Sequence, residues 1–207
     1  MTEPPIVVNH HAGRPGFAGP VGTLFAVVFL LTGRGNARLA ADVAEVSADD
    51  RVVDLGCGPG TAARVAARRG ARVTAVDPSS AMLRVARAVT RRRTPVTWVR
   101  AGAEALPLPD ASATVVWALA TVHHWPDVDG ALSEIHRVLS PGGRLLVVER
   151  QVRPDATGLA GHGWTARQAE AFAALCTSAG LTDVRVTTQG HGRRAAWTVR
   201  AVRPSAT

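Results

Sequence analysis

The chain has 207 residues and a mass of 21.6 kDa, the size of one domain with an extension. Hydrophobic residues make up 46% and charged residues 19%, which is enough apolar side chain for a core and excludes global disorder. All 24 basic residues are arginine, against 16 acidic ones, for a formal net charge of +8. The missing lysine reads first as GC-rich codon bias. The functional alternative is attraction to an anionic partner such as nucleic acid, lipid headgroup or acidic substrate. Two cysteines far apart, Cys57 and Cys176, exclude a disulfide scaffold or zinc ribbon and favour a reducing, cytoplasmic setting.

Residues 21–31 (VGTLFAVVFLL) form the longest apolar run. A membrane span needs roughly 18 or more apolar residues, and a signal peptide a positive start. Neither is met, so the run is expected to be a buried or lid-like helix, apolar on all sides, with no integral membrane insertion. From residue 51 the pattern becomes regular. Strands are expected at 51–55 (RVVDL), 72–76 (RVTAV), 96–99 (VTWV), 113–119 (ATVVWAL) and 144–149 (RLLVVE). Helices are expected at 61–69, stopped by Gly70, at 79–90, capped from Asp77 to Ser80, at 128–139, ending at Pro141-Gly142-Gly143, and at 168–179, closed by Gly180. Two last strands, 184–189 and 195–202, are joined so closely that they should pair antiparallel. Near-continuous apolar strands alternating with helices indicate a parallel sheet covered on both faces. Residues 1–45 read as an N-terminal extension with lid-like helices, and 46–207 as the α/β domain.

The strongest chemical signal is the loop Asp54-Leu55-Gly56-Cys57-Gly58-Pro59-Gly60, between a strand and a helix. Its glycines permit a sharp turn and close approach to a ligand, and the next helix offers unpaired N–H groups. The loop departs from the dinucleotide spacing G-x-G-x-x-G/A. Asp54, two residues before the first glycine, would repel a pyrophosphate. It suits a cationic ligand, which disfavours a nicotinamide oxidoreductase.

VVDLGCGPG resembles the first motif of class I S-adenosylmethionine-dependent methyltransferases. VTAVDPS, AGAEALPLPD, ATVHHWPD and LSPGGRLLVVE resemble the later motifs of that family in order, and the C-terminal AGLTDVRV and GRRAAWTVRA resemble its closing hairpin. The likeness covers about residues 45–203. It implies a Rossmann-like, doubly wound sheet of seven strands with the last antiparallel, and S-adenosylmethionine as cofactor. By this resemblance the cofactor contacts are Asp54, Gly56, Cys57, Gly58 and Gly60 of the loop, Asp77 on the ribose with Pro78 and Met82 after it, Ala103 and Glu104 near the adenine, and Ala118; no metal is implied. Two departures stand out. Gly102 replaces the family's usual Asp, leaving the adenine amino group to Glu104, backbone or water. Ala113-Thr114 replaces a common Phe-Asp, at positions read as structural.

The sulfonium donor is already activated, so positioning the acceptor does much of the work. A hydroxyl acceptor benefits from a base. His123 and His124 follow the fourth strand, where the crevice opens, and are the candidates. The alternative is that one packs with Trp125 and the other lines the pocket without moving a proton. His10, His11, Phe17, His162 and Trp164 are weaker candidates for an acceptor lid, and Cys57 is expected to pack rather than react. The reading is methyl transfer to a small-molecule, hydrophobic or lipid-like acceptor, O-methylation ahead of N- or C-methylation, by a monomer or homodimer. Nucleic-acid methylation is disfavoured, since neither an Asn/Asp-Pro-Pro-aromatic signature nor a Pro-Cys nucleophile is present. The remaining alternative is a non-catalytic, cofactor-binding partner protein.

Overall fold

A computed structural model of the chain describes Ala26, Leu30 and residues 33–156, 161–190, 192 and 195–205. Five helices among these are α1 (Arg34–Val43), α2 (Thr61–Arg68), α3 (Ser80–Val89), α4 (Val128–Val138) and α5 (Ala166–Ser178). The strands are β1 (Arg51–Leu55), β2 (Arg72–Val76), β3 (Val96–Val99), β4 (Ala113–Leu119), β5 (Leu139–Arg150), β6 (Thr182–Gln189) and β7 (Ala196–Val202). They form one seven-stranded sheet in the order β3-β2-β1-β4-β5-β7-β6. The β3-β2-β1-β4-β5 pairs are parallel, while β7 runs antiparallel to both β5 and β6. The expected Rossmann-like, seven-stranded sheet with an antiparallel last strand is therefore present.

Two apolar clusters cover the faces of this sheet. One joins α1, α2 and Leu83 of α3 to Val52, Val73, Val115, Trp117 and Leu146. The other joins α4 and α5 to Val53, Leu55, Val116, Leu145 and Val199. Both faces of the parallel strands are buried, which is why those strands read as continuous apolar runs. Chain order reverses between β1 and β4, so a crevice is expected outside their carboxyl ends.

At the opposite, amino end, Thr114 accounts for one departure from the family pattern. Its Oγ1 donates to Asp50 Oδ1 (2.7 Å) and accepts from the Arg51 backbone N–H (3.0 Å). Arg144 pairs with Asp50 Oδ2 at 2.9 Å. Burial works against the Asp50 carboxylate, but the Ser47 amide, the Thr114 hydroxyl and Arg144 outweigh it and lower its pKa.

Several expectations are corrected. β5 begins at Leu139, so Pro141-Gly142-Gly143 lies within a strand and α4 stops at Val138. Gly142 N donates to Arg203 O and Arg203 N to Gly143 O, and Leu139 is in register with Ala113. These distant partners hold the stretch extended. Helix α3 begins at Ser80, because Ser79 is its N-cap and accepts from Met82 N. Helix α5 begins earlier than expected, at a Thr165/Gln168 capping box. Trp164 is no lid residue: it is 1% exposed and stacks with Phe172 at 5.0 Å between ring centroids. The lid-like helix expected at 21–31 lies outside the described residues except Ala26 and Leu30, both helical. His10, His11 and Phe17 also lie outside them. Among the described residues no helix is long and apolar enough to cross a membrane.

Candidate active site

β1 delivers Asp54 to the carboxyl edge of the sheet, where the chain turns into α2. Gly56, Gly58 and Gly60 take φ values of +62°, +51° and +75°, the left-handed region that glycine tolerates best. A Cβ at Gly56 would lie 2.0 Å from Thr121 Oγ1, and one at Gly60 2.2 Å from the Trp98 ring. These two glycines let the turn after β4 and strand β3 close on the loop. At Gly58 a Cβ would meet nothing within 4 Å, so a ligand can approach the backbone there. Cys57 N donates to Val76 O (3.0 Å), tying the loop to β2. The Cys57 thiol is buried, and burial, then Asp54 and Asp77, push its pKa well up. That is the chemistry of a packing thiol.

The two acids behave differently. Asp77 directly follows β2 and spans the turn: Oδ2 accepts from Gly58 N and Oδ1 from Ser79 N, both at 2.8 Å. A carboxylate has about four lone-pair sites, so each oxygen keeps one for a ligand hydroxyl. Burial raises the Asp77 pKa, opposed by those two amides. Asp54 is buried, and its Oδ2 has no hydrogen-bond partner. Burial raises its pKa to about 7, opposed by the nearby Trp117 indole and Ala63 amide and reinforced by Asp77. The Trp117 indole N–H is likewise buried without a partner, and a buried carboxylate oxygen left unbonded at the start of the glycine loop fits a ligand carrying a cationic N–H donor.

The remaining expected contacts are more dispersed. Pro78 is exposed, and its carbonyl accepts from Arg100 Nε at 3.2 Å. Met82 is buried in the first turn of α3. Ala118 is enclosed in β4, in register with Leu55 and Val147. Ala103 is buried and Glu104 exposed. A Cβ at Gly102 would lie 2.2 Å from Glu104 Oε1. The Glu104 carboxylate thus fills the space that the family's usual acid at 102 would take.

The histidines sit just after β4, in a short 3-10 turn, Val122–His124. His123 Nδ1 lies 2.9 Å from Glu149 Oε2, and Glu149 Oε1 accepts from Val122 N at 2.9 Å. Glu149, at the end of β5, is fully buried. Glu149 thus engages Nδ1 and leaves Nε2 unengaged. The His123 ring centroid lies 4.1 Å from that of His124 and 5.9 Å from that of His162. His162 therefore joins the cluster rather than a separate lid. Sequence reasoning missed Glu149. The available signal was an acid ending an apolar parallel strand next to the strand that bears the histidines. Among the described residues no group of three His, Cys, Asp or Glu side chains has metal-binding geometry.

Comparison with known proteins agrees with this geometry. Residues 53–147 match the methyltransferase domain family. Over 112 residues the chain is 38% identical to a demethylmenaquinone methyltransferase of Tropheryma whipplei (strain Twist), covering 54% of this chain and 46% of that protein. Over 146 residues it is 32% identical to a malonyl-[acyl-carrier protein] O-methyltransferase of Serratia marcescens, covering 70% and 55%. The chain thus spans about half the length of these relatives. The fold is similar to that of a Haemonchus contortus phosphoethanolamine N-methyltransferase 2 solved with S-adenosylhomocysteine, with a TM-score of 0.71, 19% identity, and coverage of 88% of this chain and 57% of that one. The sheet order, the glycine loop tied to Asp77 and the matched residues agree: residues 53–147 carry a methyltransferase domain.

Proposed function

We propose that this chain binds S-adenosylmethionine and transfers its methyl group to a small-molecule acceptor, with a hydrophobic hydroxyl compound favoured. The observation that carries the reading is a buried carboxylate oxygen on Asp54 with no hydrogen-bond partner, at the end of the strand that leads into a glycine loop tied to Asp77 through Gly58 N. The cofactor, when bound, supplies an electrophilic methyl on a sulfonium. Asp54 accepts from the ammonium group of its amino-acid end. Asp77 uses its free lone pairs for the ribose hydroxyls. Glu104, in the place of the usual acid, accepts from the adenine amino group.

Glu149 holds His123 with Nε2 free to take the acceptor's proton as the new bond forms. It acts through His123 and is a positioning residue. The relatives include both C- and O-methyltransferases, and the His123–Glu149 pair favours an acceptor that must lose a proton. The setting is cytoplasmic, and the active species a monomer or homodimer.

Incubating labelled S-adenosylmethionine and the protein with separated lipid, small-molecule and nucleic-acid fractions of a cell extract tests the reading. Label in the lipid or small-molecule fraction is expected, and label in RNA alone contradicts it. His123→Ala should lower turnover about 10²–10⁴-fold with cofactor affinity unchanged.

A further inference from the structure

The charge of this protein is unevenly distributed along the chain. Residues 51–100 contain eleven arginines and two acids, Asp54 and Asp77. Both acids are buried at the cofactor loop, so this stretch shows solvent positive charge and no negative charge. Residues 101–139 reverse the balance, with five acids and the single arginine Arg137.

Part of this charge gathers on one face, where Arg69 is paired with Asp42 of α1, while Arg51 is held by Ser112 O and Ser140 at the amino end of the sheet. Arg64 of α2 reaches Thr90 Oγ1 at the end of α3 (3.5 Å) and Pro59 O of the glycine loop (2.7 Å). Burial lowers the Arg64 pKa, and the charges of Arg68 and Arg34 lower it further. Arg34 of α1 and Arg68 of α2 therefore stand near it, and the exposed run Arg91-Arg92-Arg93 follows Thr90 directly. Like charges held this close repel each other, and an anionic surface relieves that repulsion.

We propose that this α1–α2–α3 face docks peripherally on an anionic phospholipid surface. The inference goes beyond the methyl-transfer reading and does not depend on it. Two observations favour lipid over nucleic acid. Val89, the one large hydrophobic residue that stands exposed among those described, is 46% exposed and lies between Arg87 and Arg91. A basic surface with an outward apolar side chain suits a headgroup boundary. The aromatic side chain of this region, Trp98, packs over Gly60 and is not free to stack on bases.

Co-sedimentation of the full chain with vesicles tests this without cofactor or acceptor. The protein should pellet with mixed phosphatidylcholine–phosphatidylglycerol vesicles and not with phosphatidylcholine alone, and binding should weaken as salt rises. Replacing Arg91, Arg92 and Arg93 together by glutamine should weaken it about a hundredfold. Val89→Asn should weaken it further, whereas Arg185→Gln with Arg200→Gln, on β6 and β7, should not. An unchanged melting temperature shows that each variant is folded. Equal pelleting with neutral vesicles, no pelleting with either, full binding by the triple variant, or retention by RNA without vesicle binding overturns the proposal. Because no methyl transfer is read, failure here leaves the catalytic reading standing, and failure of that reading leaves this result standing.

Discussion

Burial gives Asp54 a pKa of about 7, well above the roughly 3.9 of an exposed aspartate. A raised acid pKa means that the folded chain binds the proton more tightly than the unfolded chain. The Asp54 contribution to stability is therefore full below about pH 4 and is lost as pH rises to about 7. Asp54→Asn removes this dependence, so its melting temperature should gain on the unaltered protein between those limits. A cationic ligand stabilises the carboxylate, so cofactor binding below about pH 7 should release a proton. Calorimetry in buffers of different ionisation enthalpy reads that release directly. Asp77→Asn loses the charge and one good acceptor. Cofactor affinity should fall about ten- to a hundredfold, as expected for charge-assisted bonds of about 1.5–3 kcal/mol. Stability should also fall by about 1–3 kcal/mol, because Gly58 N or Ser79 N loses its acceptor. Asp77 was legible in the sequence as an acid following the second strand. Glu149 was not, because its meaning lies in a 2.9 Å contact with a residue 26 positions away. Nitrogen-15 shifts of the His123 ring should show a protonated Nδ1 that Glu149→Gln disturbs, which a merely packed histidine would not show.

Elements were read correctly where the local pattern decides them. The apolar runs of β1 and β2 and the alanine-rich α2 needed no distant partner to be recognised. The start of β5 did, since Pro141-Gly142-Gly143 looks like a stop until Arg203 supplies its hydrogen bonds. Thr114 is a similar case: its hydroxyl joins the first residue of β1 to Asp50. Thr114→Val keeps the shape and removes both bonds, leaving a buried carboxylate oxygen with one partner fewer. We expect a loss of about 1–3 kcal/mol in denaturant unfolding, with cofactor affinity unchanged because the site lies at the other end of the sheet. Gly56→Ala should act at the cofactor end, since its Cβ would collide with Thr121 and force the turn after β4 away from the loop. Loss of cofactor binding exceeding the loss of stability is the expected pattern.

For the whole molecule, the sheet order and the position of the loop followed from alternating elements and a motif series, while the surface charge pattern became meaningful only once α1, α2 and α3 were seen on one face. The parallel strands bring Asp54, Gly58 and Asp77 together at their carboxyl ends, and the last strands seal the sheet behind Glu149. The central claim is that this arrangement holds a sulfonium cofactor and not a dinucleotide. Isothermal titration of the full chain with S-adenosylhomocysteine and, separately, with NAD tests it most directly. The account predicts saturable binding of S-adenosylhomocysteine at one site per chain, weakened about ten- to a hundredfold in Asp77→Asn, and no binding of NAD. Binding of NAD with no binding of S-adenosylhomocysteine would contradict it.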